Sequence, residues 1–212
     1  MKALIIGATG ATGKDLLSQL LADDTYAEVH CFVRKPLALT HPKLHAHVVN
    51  FETPEAWADL VRGDVAFSCL GTTLAVAGSK DAQWRVDYDY QYAFAQQCKA
   101  NGVPSFVLVS AAGAKAQSKL FYNRMKGALE EAVKKLNFPR LLIFQPSVLI
   151  RSNSDRAGEN LSVKTINFLN KLGILKRYRP MPTQILAEKM LSAVYNSPKG
   201  TFTFTLNNVS SI

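Results

Sequence analysis

The stretch Lys2–Leu17, KALIIGATGATGKDLL, runs from an apolar segment through seven glycine, alanine and threonine residues into a leucine-rich segment. KALII has strand character, and GKDLLSQLLAD from Gly13 onward sets its leucines on one helical face. Glycines between such a strand and helix let the backbone turn tightly, approach a pyrophosphate and pack helix against strand. The helix N-terminus adds unpaired N–H groups and the positive end of a dipole. Gly7-Ala8-Thr9-Gly10-Ala11-Thr12-Gly13 therefore reads as a dinucleotide-binding turn.

Outward from that turn, the chain alternates strand and helix patterns. EVHCFVR and AHVVNF read as the second and third strands, and PEAWADLVRG as a short helix that Gly63 stops. DVAFSCLG is a fourth strand, followed by one long helix from about Asp81 to Ala100 that Asn101-Gly102 closes. SFVLVS, FYNRMKGALEEAVKKL and RLLIFQ complete the series as strand, helix and strand. This alternation predicts an α/β fold: a Rossmann-like, doubly wound parallel sheet with helices on both faces. After Pro146 the pattern loosens into a polar loop over 152–160, a helix over 161–172, a proline-containing stretch at 179–182, a helix over 185–195 and a last strand over 201–206. The chain thus reads as a single domain over 1–212, with a cofactor-binding core at 1–150 and a small C-terminal substrate or lid region at 151–212.

Composition narrows the class. Of 212 residues 48% are hydrophobic, enough for one well-buried domain. No apolar run approaches the ~20 residues of a membrane span. Lys2-Ala-Leu-Ile-Ile lacks a following cleavage-like segment, and the expectation is a cytoplasmic protein without membrane contact. Cys31, Cys69 and Cys98 are too widely spaced for a disulfide framework or a CxxC motif. His41, His45 and His47 have neither cysteine nor paired carboxylate nearby, so they read as the polar approach to a strand and no metal is assigned. The net charge of +9 suits anionic ligands. Its densest cluster, Lys171–Arg179, comes without a zinc finger or aromatic RNA-binding motif, and reads as a solvated basic face rather than a nucleic-acid site.

The end of the second strand indicates which dinucleotide. A site for NAD usually places an acidic side chain there for the ribose hydroxyl. This chain has Arg34 and Lys35, two cations suited to a 2′-phosphate, so NADP(H) is preferred over NAD(H).

Five motifs then occur in one order: GATGATG, SCLGTT at 68–73, RVDYDY at 85–90, LVSAAGA at 108–114 and LFYNRMKG at 120–127. Together they resemble the atypical short-chain dehydrogenase/reductases related to the Tat-interacting protein family, over most of residues 1–150. The resemblance implies a Rossmann-like domain for NADP(H), with Cys69, Leu70, Gly71 and Thr72 on the cofactor and a Ser-Tyr-Lys site beside the nicotinamide. Asn50, Phe51 and Pro146, after the third and sixth strands, are counted with the cofactor site. The chain departs from the family pattern at Gln145-Pro146, where Arg-Pro is common, and at Ser110-Ala111, where paired serines are common.

Tyr122 and Lys126 are the candidate catalytic pair, with Ser110. Their i,i+4 spacing on an uninterrupted helix gives them a common face. Tyr195 and Lys199 share the spacing, but Pro198 intervenes and disfavours a helix. Moving a tyrosine from near 10 to ~7 takes ~4 kcal/mol. One cation ~4 Å away at an effective dielectric near 20 supplies about that much. In this scheme Ser110 donates to a substrate carbonyl oxygen, Tyr122 transfers the proton and Lys126 also holds the nicotinamide ribose, as the resemblance implies. Asp87 and Asp89 read as helix surface or packing residues. The expected activity is NADP(H)-dependent hydride transfer to or from a carbonyl or alcohol of a small-molecule substrate. The alternative is an NADP(H)-sensing regulator with little turnover. Either a monomer or a homodimer fits.

Overall fold

β1 (Lys2–Ile6) turns Ala3 and Ile5 to one face and Leu4 and Ile6 to the other, and all four are fully buried. A strand covered on both faces belongs at the centre of a parallel sheet. In the computed structural model, which describes residues 1–150 and 180–205, that is where it lies. The sheet has seven strands in the order β3-β2-β1-β4-β5-β6-β9, all parallel. They are β2 (Glu28–Val33), β3 (Leu44–Val48), β4 (Val65–Ser68), β5 (Ser105–Val109), β6 (Arg140–Gln145) and β9 (Gly200–Thr205). A separate two-stranded ladder joins β7 (Leu149–Ile150) to β8 (Met181–Pro182).

Helices cover both faces. α1 (Ala11–Ala22) lays Leu16, Leu17, Leu20 and Leu21 on the Ala3/Ile5 side, beside Leu186, Met190 and Val194 of α6 (Thr183–Asn196). The opposite face receives Phe94 and Cys98 of α4 (Tyr90–Ala100), Leu129 and Val133 of α5 (Phe121–Lys134), and Trp57 from a 3-10 turn, Pro54–Leu60. The doubly wound expectation is borne out.

Four local readings change. The third strand starts two residues earlier than expected, because Val29 to Val33 pair with Leu44 to Val48 and Asn50 Oδ1 then accepts from the Glu52 N–H to form a turn. The segment over 54–63 closes as a 3-10 turn instead of an α-helix. The long helix over 81–100 is three pieces: α3 (Lys80–Trp84), a π-helical turn (Arg85–Asp89) and α4, preceded by a short α2 (Leu74–Ala77). Finally, α6 and β9 belong to the main sheet and its cover, so residues 183–205 are part of the core rather than a lid. The loop expected over 152–160, the helix over 161–172 and the basic cluster 171–179 lie outside the described residues.

Candidate cofactor and catalytic site

The strand order reverses at β1, which has β2 on one side and β4 on the other. Such a switch point opens a crevice at the carboxyl ends of the strands, where open α/β sheets bind their ligands. Gly7 sits there with φ +79°, a left-handed conformation, and a Cβ on it would lie 2.4 Å from the Cys69 carbonyl carbon. Gly13 needs its bareness for a different reason: a Cβ would lie 2.1 Å from the Gly7 oxygen, so α1 could not approach the loop. The Gly10 N–H donates to the Gly7 carbonyl at 2.9 Å, and Gly10 caps α1 without a side-chain hydrogen bond. The first N–H groups of α1 therefore face the crevice as donors for a pyrophosphate.

Two adjoining cavities follow the crevice. One, of about 430 Å³, is lined by Gly7, Thr9, Gly10, Arg34, Cys69–Thr72, Arg85 and Tyr90 among others. The second, of about 350 Å³, is lined by Gly10–Thr12, Cys69–Thr73, Asp87, Ser110, Tyr122 and Lys126. A phosphate-binding turn thus opens on one side toward Arg34 and on the other toward the Ser-Tyr-Lys set. Residues 69–72 form the shared wall. Desolvation pushes the thiol of half-buried Cys69 up to about 12, so it remains protonated there.

Some expected contacts fall elsewhere. Ala8 is buried and Lys35 exposed, and neither lines these cavities. The Asn50 carbonyl accepts from Trp57 Nε1, while Phe51 packs against the Tyr90 ring at 5.5 Å and so backs the cavity wall. The Pro146 carbonyl accepts from the Ala112 N–H at 2.8 Å, fixing the loop after β5. Arg85 is a cation that the motif reading missed. It belongs to the π turn, and only the fold carries it to the cavity that Arg34 lines.

The candidate catalytic set converges on one cavity, with two substantive changes. Tyr122 and Lys126 share a face at the start of α5, with Lys126 Nζ 6.0 Å from the Tyr122 ring centre. The comparison pair does not: α6 ends at Asn196 before Pro198, and Tyr195 OH donates to Asp23. The first change concerns Asp87, which is neither surface nor passive filler. Its Oδ1 lies 3.0 Å from Lys126 Nζ, with side-chain exposures of 1% and 3%, and its Oδ2 accepts from the Thr72 N–H at 2.8 Å. The carboxylate thus ties α5 to the cofactor loop and opposes the positive field of Lys126 in the cavity. Its partner was hidden because the two residues lie 39 positions apart on separate elements.

The second change concerns Ser110. Its hydroxyl donates to Glu130 Oε1, and Gln145 Nε2 donates to both oxygens of the same carboxylate at 2.9 and 3.0 Å. Burial pushes Glu130 above the usual carboxylate range, and these hydrogen bonds act against that push. Gln145, noted in the sequence as a departure, is thus the neutral partner of a buried acid. Ser110 still lines the cavity, but offering its proton to a substrate requires it to release Glu130.

A parallel sheet with a glycine turn at its switch point, opening on a Ser-Tyr-Lys set, defines a Rossmann-like nucleotide-binding protein of the short-chain dehydrogenase/reductase kind. A family signature described as NAD(P)H-binding matches residues 7–138, and the chain belongs to that family. It is 34% identical over 177 residues to protein FMP52-1, mitochondrial, of Scheffersomyces stipitis, covering 80% of this chain and 77% of that one. It is 38% identical over 165 residues to protein HTATIP2 of Rattus norvegicus, covering 76% and 68%. The motif resemblance is thereby borne out. Among solved structures, UDP-glucose 4-epimerase of Thermotoga maritima with UDP-glucose superposes with TM-score 0.73 at 13% identity, over 97% of this chain and 77% of that one. A short-chain dehydrogenase/reductase superfamily protein from Agrobacterium tumefaciens with bound NAD gives 0.72 at 15% identity, over the same shares. At such identities these two show the fold alone. The expected cytoplasmic location is corrected by the relatives: FMP52-1 and the FMP52 of Candida glabrata, 30% identical over 217 residues, are both named mitochondrial.

Gly10 allows the phosphate-binding role to be separated from folding. A Cβ there would lie 3.3 Å from the Gly7 oxygen, tight but short of collision, and Gly10 lines both cavities, so the added bulk of a valine would compete with a phosphate for that space. Gly10→Val is expected to remain folded by circular dichroism and to lose at least 100-fold in NADPH affinity by fluorescence titration. Unchanged affinity would refute the turn's assignment.

Proposed function

We propose that the protein is an NADP(H)-dependent oxidoreductase that transfers a hydride to or from a small carbonyl or alcohol, with Tyr122 as the proton donor or acceptor. The observation that carries this reading is the placement of Ser110, Tyr122 and Lys126 around one cavity continuous with the phosphate-binding turn. Bound NADP(H) supplies the hydride chemistry. Gly7, Gly10 and the N-terminus of α1 hold its phosphates, and Arg34 and Arg85 offer charge to a 2′-phosphate. Lys126, held by Asp87, fixes the geometry between cofactor loop and α5 and offers its remaining ammonium protons to the ribose side of the cavity. Tyr122, 41% exposed at the cavity rim, can exchange a proton with a substrate oxygen and then with water.

The test uses NADPH deuterated at C4 of the nicotinamide with a panel of aldehydes and ketones. Deuterium appearing in the alcohol product, in one stereochemical sense and only with active protein, supports the reading. NADPH binding without transfer to any member of the panel favours the alternative, a cofactor-sensing protein. One observation favours that alternative: the Ser110 proton and the Lys126 charge are both committed inside the protein, to Glu130 and Asp87. The names of the FMP52 relatives support a mitochondrial location for the chain, which fractionation of cells expressing it would test.

Cofactor preference has its own measurement. NADPH should bind at least tenfold more tightly than NADH, and Arg34→Ala should narrow that gap while leaving NADH affinity within about twofold. Equal affinities in the unmodified protein would refute the 2′-phosphate assignment.

A further inference from the structure

The end of the sheet away from the glycine turn holds a second cluster of chemically active side chains. In the parallel register Lys2 stands opposite Glu28, His30 opposite His45, and Phe32 opposite His47. Side chains on a strand alternate faces, so Glu28, His30, His45 and His47 all point to one side of β2 and β3. His30 is buried beneath exposed Glu28 and His45, and one ligand atom from each of the three lies within 4.8 Å of the other two. His30 Nε2 is 2.9 Å from Glu28 Oε2, its ring stacks on His45 at 4.6 Å, and its Nδ1 is 2.8 Å from His47 Nε2.

We propose that Glu28, His30 and His45 form a binding site for a zinc-class divalent ion, with His47 orienting His30 from behind. Two imidazoles and one carboxylate are a familiar ligand set for such an ion, bound at ~2.0–2.2 Å with a fourth position left to water. Tetrahedral bonds of that length separate ligand atoms by roughly 3.3 Å. The 2.9 Å gap between His30 Nε2 and Glu28 Oε2 therefore opens by only a few tenths of an ångström to admit the metal, while exposed His45 swings inward. Without an ion His30 Nε2–H donates to Glu28; metal binding would take up that nitrogen as a lone pair, and the His30 proton would then sit on Nδ1 and be donated to His47 Nε2. Lys2 Nζ, 3.4 Å from Glu28 Oε2, is the cation now beside that carboxylate and the one the metal would displace.

The linear reading of His41, His45 and His47 found no carboxylate because Glu28 comes from another strand. His41 lies outside the cluster. Glu28 begins β2, whereas the cofactor crevice lies at the far ends of the strands, so metal and NADPH should bind independently.

The test titrates tag-free, metal-stripped protein with Zn2+ against a chromophoric chelator, and with Co2+ followed by visible absorption. One equivalent is expected, with an intense tetrahedral Co2+ band. His45→Ala and Glu28→Gln, both exposed substitutions that spare the core, should each weaken Zn2+ binding at least tenfold. His47→Ala should weaken it tenfold to a hundredfold. Lys2→Gln should tighten it, His41→Ala should change nothing, and NADPH affinity should stay within twofold throughout. Absence of stoichiometric binding, or binding that survives both His45→Ala and Glu28→Gln, would overturn the assignment.

Discussion

Asp87→Ala is expected to destabilise the protein by about 3–5 kcal/mol, the cost of stranding a buried charge when its partner is removed. The Lys126 side chain is 3% exposed, and the Asp87 carboxylate lies 3.0 Å from its Nζ. The substitution also leaves the Thr72 N–H without the Asp87 oxygen that now accepts it. For a domain of this size, ~2–4 °C of melting temperature per kcal/mol gives a drop on the order of 10 °C. Urea unfolding and thermal melts measure it directly. Removing the ammonium as well, in Asp87→Ala with Lys126→Met, should recover a large part of the loss, since a buried pair replaced by apolar groups is often near neutral. A loss below about 1 kcal/mol in the single variant would show that water reaches Lys126. It would also return Asp87 to the packing role first assigned to it.

Tyr122→Phe should lower turnover by about 10²–10⁴, the usual contribution of a positioned proton-transfer group. The change removes one hydroxyl from a side chain 41% exposed, so folding and NADPH affinity should be nearly unaffected. That separation distinguishes catalysis from cofactor binding, because Gly10→Val is expected to weaken binding itself. The pair Tyr122→Phe and Ser110→Ala also reports on the internal hydrogen bonds. If Ser110 leaves Glu130 to meet the substrate, Ser110→Ala should cost turnover as well. If it stays with Glu130, the variant should disturb local packing and spare the chemistry. Full activity in Tyr122→Phe would remove the tyrosine from the mechanism.

Local pattern made much of this molecule legible. The buried runs of β1, β4, β5 and β6 alternate with amphipathic helices, and that periodicity is set by covalent geometry and burial at each position. The glycine turn is local in part: the bare Cα at Gly13 is demanded by Gly7 and Ala8 a few residues away, whereas Gly7 also leaves room for Cys69 and Leu70 at the end of β4. Tyr122 and Lys126 were readable as a pair because a helix fixes which face i and i+4 share. Boundaries were less readable. The π turn at Arg85–Asp89 replaces one uniform helix, and it carries Asp87 inward to the Thr72 N–H and Lys126.

What the sequence by itself determined was the doubly wound sheet, the glycine turn and the shared face of Tyr122 and Lys126, since each follows from spacing within one element or its immediate junction; Ser110 was joined to them by the family resemblance. What only the tertiary structure decided were the pairings between elements. Asp87 with Lys126, Ser110 with Glu130 and Gln145, Arg85 and Arg34 at one cavity, and Glu28 and His30 with His45 all bring together residues from separate strands, helices or turns. The physical reason is that charge and hydrogen bonding act over a few ångströms in space. Distance along the chain carries almost no information about them until the sheet register is set.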